Sequence, residues 1–185
     1  MNEVYKKVLR CYESLQKKFD FSNFRPDVAI VLGSGLGDYA NDIEVVGEVD
    51  YHDIEGFPVS TVPGHAGKFI FGYVGDVPVV CMKGRIHYYE GYPITDVVLP
   101  ARLMKLMGAK VLFLTNACGG LNPEFKAGDF MLIKDQISVF VPNPLIGENI
   151  DELGTRFPDM SHVYDPELRN LIKEAAAENE IILRD

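Results

Sequence analysis

Between Gly84 and Gly91 the chain places Arg85, His87, Tyr88, Tyr89 and Glu90, with Tyr92 just beyond, directly after an apolar run. A guanidinium offers a planar fork of donors that matches a phosphate or carboxylate, and an imidazole adds a donor whose charge changes near neutral pH. The chemistry such a segment suits is the capture of a small anion. Three more loops are built the same way: Gly33-Ser34-Gly35-Leu36-Gly37, Pro63-Gly64-His65-Ala66-Gly67, and Thr115-Asn116-Ala117-Cys118-Gly119-Gly120-Leu121-Asn122. Their glycines let backbone N–H groups approach a ligand closely. Taken singly, each loop reads equally well as a polar turn. Together they supply Ser34, His65, Arg85, His87 and backbone amides, enough to desolvate and hold a phosphate-sized dianion. Cys118 sits among glycines, but the sequence positions no base beside it, so it reads as a small packing residue and not a nucleophile.

The elements that must carry these loops follow from hydrophobic spacing. Val4, Val8, Cys11, Tyr12, Leu15 and Phe19 recur at helical steps, predicting an amphipathic helix over 2–19. Residues 27–32 (DVAIVL) form a short continuous apolar run ending at glycine, the pattern of a strand covered on both faces. Residues 68–74 and 77–83 flank Gly75-Asp76, a two-residue hairpin turn, so the sheet is expected to be mixed. A helix over 93–107 capped by Gly108 and a buried strand over 110–115 continue an α/β alternation. Beyond these, 131–141 reads as a strand, 142–165 as a long connection, and 166–179 as a helix. Residues 181–185 read as the beginning of another strand at which the chain stops, which predicts one incomplete domain over 1–185, truncated at its C-terminus.

Composition narrows the function. With 27 acidic against 18 basic residues the net charge is −9, which argues against a general nucleic-acid or anionic-membrane surface. Cys11, Cys81 and Cys118 are odd in number and lack CxxC spacing, so neither a disulfide framework nor a structural zinc site is indicated and a cytoplasmic setting is expected. No apolar signal core opens the sequence, and no run reaches the roughly 18 to 20 residues of a membrane span. The loop at Gly33 matches the dinucleotide fingerprint only in part and lacks the Lys-Ser/Thr of a P-loop, which leaves an oxidoreductase a distant alternative.

The four loops, in this order and spacing, resemble the trimeric purine nucleoside phosphorylase family along essentially the whole chain. The resemblance implies an α/β fold with a mixed central sheet flanked by helices, and phosphorolysis of purine ribonucleosides or deoxyribonucleosides to free base and (deoxy)ribose 1-phosphate. It implies that Ser34, Arg85, His87 and the amide of Ala117 hold phosphate with His65 beside them, and that His87 is catalytic. By the same resemblance Tyr89, Asn116 and Ala117 border the nucleoside, Glu90 orients His87, and Phe157 covers the ribose in a neighbouring subunit of a homotrimer. Inorganic phosphate would be the co-substrate, with no metal or organic cofactor. The family's groups for gripping the purine, a methionine-serine pair and a histidine near the ribose 5′-hydroxyl have no counterpart here. Roughly the first two-thirds of the family pattern is thus expected, and a non-catalytic paralogue that keeps the phosphate pocket, or a methylthioadenosine phosphorylase, stays open as an alternative.

Overall fold

The computed structural model describes residues 2–60 and 67–184. The chain divides into two compact units, Met1–Ala117 with Asn143–Leu153, and Cys118–Pro142 with Gly154–Asp185. In the first unit, α1 (Glu3–Gln16) begins where the Asn2 side chain accepts from the Val4 amide at 2.9 Å, satisfying a free helix-end donor. It is followed by β1 (Val28–Leu32), β2 (Glu44–Asp50), and the hairpin of β3 (Lys68–Val74) and β4 (Val77–Lys83). Next come α2 (Ile94–Val97), α3 (Leu99–Met107) and β5 (Val111–Leu114).

These five strands form one sheet in the order β2-β3-β4-β1-β5. β1 runs parallel to both β4 and β5, while β3 is antiparallel to β2 and β4, so the sheet is mixed as the hairpin spacing predicts. Successive residues of β1 point to opposite faces, as extended backbone requires. Ala29 and Val31 join the larger core with Val8, Cys11 and Leu15 of α1, Leu99, Leu103, Met104 and Met107 of α3, and Phe69, Phe71, Val80 and Met82. Ile30 and Leu32 join a smaller core with Ile70, Val79, Cys81, Ala40 and Ile43, beside the short turn of helix at Gly37–Asp42. Each large apolar side chain buried this way contributes about 1.5–3 kcal/mol.

Within the first unit three expectations are revised, the first being the buried strand over 110–115: β5 is an edge strand that leaves Leu112, Phe113 and Leu114 exposed. The helix predicted over 93–107 breaks at Val98, because Pro100 opens α3 and has no N–H to continue the ladder from α2. β2 is an additional strand: its charged residues and Gly47 hide the alternation, a register shift falls between Val45 and Gly47, and five of its seven residues are exposed.

In the second unit, β6 (Phe130–Met131) pairs in parallel with β7 (Leu183–Arg184), and α4 (Pro166–Glu178) starts where the Asp165 carboxylate accepts from the amides of Glu167 and Leu168. The strand expected over 131–141 is thus confined to its first residue and Phe130. Ile137, Val139, Phe140 and Val141 make an apolar run but are exposed, and no ladder partner faces them among the described residues.

Candidate functional site

The register of the sheet brings three of the four loops together. Leu32 pairs with Lys83, and Val31 pairs with Leu114, so β1, β4 and β5 end side by side and in the same direction. The segments leaving them are Gly33-Ser34, Gly84-Arg85 and Thr115-Asn116-Ala117. The carboxyl ends of parallel strands are where α/β sheets bind ligands, because the loops there are free to specialise while the strands stay fixed.

Gly33 shows how tightly these ends pack. A Cβ at this position would lie 2.6 Å from the Thr115 carbonyl oxygen and 2.7 Å from the Asn116 Cα, both backbone atoms that cannot swing away. The Gly33 amide donates to Thr115 Oγ1 at 2.8 Å, and that hydroxyl donates in turn to the Val31 carbonyl at 2.9 Å. The Gly33 amide is therefore engaged within the protein, and Ser34, exposed on the tight turn to Leu36, is the first group of this loop that faces solvent.

On the neighbouring strand end, Gly84 turns the chain at a φ of +88°, a conformation in which a side chain would be strained. Its carbonyl accepts from the Tyr51 hydroxyl at 2.8 Å. Tyr51 is buried, and burial raises the phenol well above its ordinary pKa, so the hydroxyl remains a protonated donor. Arg85 reaches across to β5 and donates from Nη1 to the Thr115 carbonyl at 2.9 Å, and from Nε to His87 Nε2 at 3.3 Å. The far side of the imidazole faces Glu90, whose Oε1 takes the His87 backbone N–H at 2.7 Å and lies 3.0 Å from Nδ1. Nδ1 thus carries the proton toward the carboxylate, and Nε2 accepts from Arg85. Glu90 Oε2 accepts from the Ser60 hydroxyl at 3.0 Å, and the Glu90 side chain is only 2% exposed. A carboxylate that deeply set, its oxygens held by the Ser60 hydroxyl and by the His87 backbone and ring, fixes the ring it touches.

Tyr89 stacks flat on His87 with ring centroids 4.7 Å apart, yet is 76% exposed. Asn116 and Ala117 are exposed at the end of β5, with Asn116 Nδ2 donating to the Ala117 carbonyl at 3.3 Å. Of the residues singled out from sequence, Ser34, Arg85, His87, Tyr89, Asn116 and Ala117 all lie on these adjoining strand ends. His65 lies outside the described residues. Phe157 belongs to the second unit, where it is 85% exposed with the Arg156 guanidinium 5.8 Å from its ring centroid. Thr115 and Tyr51 are not singled out by the sequence. Thr115 carries one signal, a hydroxyl on the last position before a glycine-rich loop, while Tyr51 carries none.

This arrangement offers a multiply charged oxyanion the spare N–H groups of a guanidinium and a hydroxyl at the open ends of the strands, with an imidazole beside them whose Nε2 faces the guanidinium. Among the described residues, no group of three or more His, Cys, Asp or Glu side chains is placed to hold a metal ion, and no helix is long and apolar enough to cross a membrane.

Residues 27–184 match the sequence model of the Phosphorylase superfamily. Over 170 residues the chain is 49% identical to purine nucleoside phosphorylase 1 of Geobacillus stearothermophilus, an alignment that takes in 92% of this chain and 60% of that protein. Its fold is similar to that of Schistosoma mansoni purine nucleoside phosphorylase solved with acetate, with a TM-score of 0.87 and 40% identity over 97% of this chain and 66% of the other. It is also similar to isoform 2 from the same organism, solved with cytosine and ribose-1-phosphate, with a TM-score of 0.86 and 40% identity over 97% and 64% of the two chains. The chain spans about 60% of the length of that Geobacillus relative.

Proposed function

The chain belongs to the Phosphorylase superfamily, and on that premise we propose that it carries the phosphate and sugar side of a purine nucleoside phosphorylase, a pentosyltransferase acting on purine ribonucleosides or deoxyribonucleosides. The observation that carries this reading is the convergence of Ser34, Arg85 and His87 on the adjoining ends of β1, β4 and β5. The solved relative that holds ribose-1-phosphate supports it.

In the proposed reaction a phosphate oxygen forms a bond to the anomeric carbon while the bond from that carbon to the purine nitrogen breaks. The bonding electrons leave with the purine, which takes up a proton. Positive charge builds on the sugar in the transition state, and the bound phosphate is both nucleophile and counter-charge. Catalysis then rests on holding the phosphate in line and on fixed electrostatics. Arg85 and Ser34 grip the dianion with the Ala117 amide and His65, and His87, held by Glu90 through Nδ1, donates to it from Nε2 as the imidazolium, with Arg85 Nε turned from the ring to the anion. Tyr89, on the outer face of His87, and Asn116 with Ala117 border the sugar and base.

Phe157 closes the sugar side of a neighbouring copy's site in a homotrimer, a role its exposure supports. Inorganic phosphate is the co-substrate, the reading calls for no metal or organic cofactor, and the setting is cytoplasmic. The test is incubation of inosine with this chain and with a C-terminally extended form, with and without phosphate. Hypoxanthine and ribose 1-phosphate in equal amounts, only when phosphate is present, is the expected result. Base released by neither form refutes it.

A further inference from the structure

Taking the phosphate reading as its basis, we infer that Thr115 is a positioning residue of this site, its hydroxyl and carbonyl together setting where Ser34 and Arg85 stand. One residue makes both connections. Its hydroxyl accepts from the Gly33 amide at 2.8 Å and donates to the Val31 carbonyl at 2.9 Å, while its own amide also donates to Val31 at 3.1 Å. That double attachment fixes the end of β5 to the end of β1 and locks the residue before Ser34. The Thr115 carbonyl then takes Arg85 Nη1 at 2.9 Å, from across the sheet. The guanidinium of a long, flexible side chain is so held in one rotamer, with donors left over for a ligand.

The absence of a Cβ at Gly33 belongs to the same device. The Thr115 carbonyl oxygen sits 2.6 Å from where that Cβ would be, so the glycine lets the oxygen come close enough for the hydroxyl bridge to close. Because the bridge consumes the Gly33 N–H, this amide is not a ligand donor. The anion contacts of the loop start at Ser34.

The discriminating variants are Thr115→Val, which keeps the shape and loses the hydroxyl, and Thr115→Ser, which keeps the hydroxyl and loses a methyl. Binding of radiolabelled inorganic phosphate to the 185-residue chain is measured by equilibrium dialysis, with Arg85→Ala as the control and a thermal melt on each protein. Thr115→Val is expected to bind about tenfold more weakly, the loss of one buried hydrogen bond. Thr115→Ser restores the affinity although it packs less well. Equal affinity in Thr115→Val and wild type, or weaker binding in Thr115→Ser than in Thr115→Val, overturns the inference while leaving the phosphate site intact. Wild type that binds no phosphate, or binds it as well with Arg85→Ala, overturns the underlying reading and this role with it. Should Thr115→Val not fold, amide hydrogen exchange on the wild type decides: the Gly33 amide is expected to be protected with or without phosphate. A Gly33 amide that becomes protected only when phosphate is added contradicts the bridge.

Discussion

Arg85 and Glu90 show how much of the site's order comes from single side chains. Arg85 bonds His87 from Nε and the Thr115 carbonyl from Nη1, two separate nitrogens of one rigid fork that a single ammonium does not reproduce. Arg85→Lys is therefore expected to weaken phosphate binding by roughly 10- to 100-fold, the loss of charge-assisted hydrogen bonds, as read by titration calorimetry. Gly33→Ala makes a different error, driving a Cβ into the backbone of Thr115 and Asn116. It is expected to destabilise the fold by about 1–3 kcal/mol in urea unfolding, as overpacking against atoms that cannot move does. Arg85, His87 and Glu90 are legible in the sequence because they meet within six positions and their chemistry is local. The clasp by Thr115 and the brace by Tyr51 link residues that are 82 and 33 positions apart. The hydroxyl of Thr115 before its glycine-rich loop is the one local signal, and the partner of neither residue is written near it, so only the fold reveals the links.

Among the elements, β3 carries the rings on which an aromatic cluster is built. Phe71 stacks on Phe19 with centroids 4.1 Å apart and meets Phe21 and Phe24 edge-on at 5.4 and 6.1 Å, joining the aromatic segment after α1 to the sheet. Phe71→Ala removes the ring all three rest on and is expected to cost about 3–5 kcal/mol, measured as a fall in the urea midpoint at unchanged slope. β3, β4 and their turn follow from sequence, because two continuous apolar runs flanking the two-residue turn Gly75-Asp76 specify both strands and their register. The stretch around 137–141 is strand-like in its apolar, β-branched composition too, yet a strand requires a partner, and among the described residues the ladder of the second unit joins β6 and β7. The break at Val98 was written in Pro100, whose missing N–H outweighs the helical spacing on either side.

At the scale of the whole molecule, burial separates the three thiols. Desolvation pushes Cys11 and Cys81 from an ordinary 9.0 up to about 11, whereas Cys118 is exposed. Iodoacetamide at mildly alkaline pH is expected to label Cys118 in the native chain and the other two only after unfolding, as peptide mapping would show. The same two groups make stability pH-dependent. Below pH 9 folded and unfolded chains both hold the thiol protons, and their contribution is complete. Between 9 and about 11 only the unfolded chain releases them, so stability falls as pH rises through that window. A urea midpoint that stays level or climbs across it would disagree. The fold class was readable because apolar strand-like runs and glycine-rich loops alternate along the chain, while the convergence of those loops on one edge depends on the strand order.

The identity of the nucleophile is the point on which everything else depends. Inosine turned over by this chain, alone or extended at its C-terminus, in phosphate uniformly labelled with heavy oxygen gives a direct reading by mass spectrometry of the sugar product. If Ser34, Arg85 and His87 hold phosphate for attack on the anomeric carbon, the product is ribose 1-phosphate whose bridging oxygen carries the label. Free ribose with an unlabelled oxygen at that carbon, released at the same rate without phosphate, would contradict it.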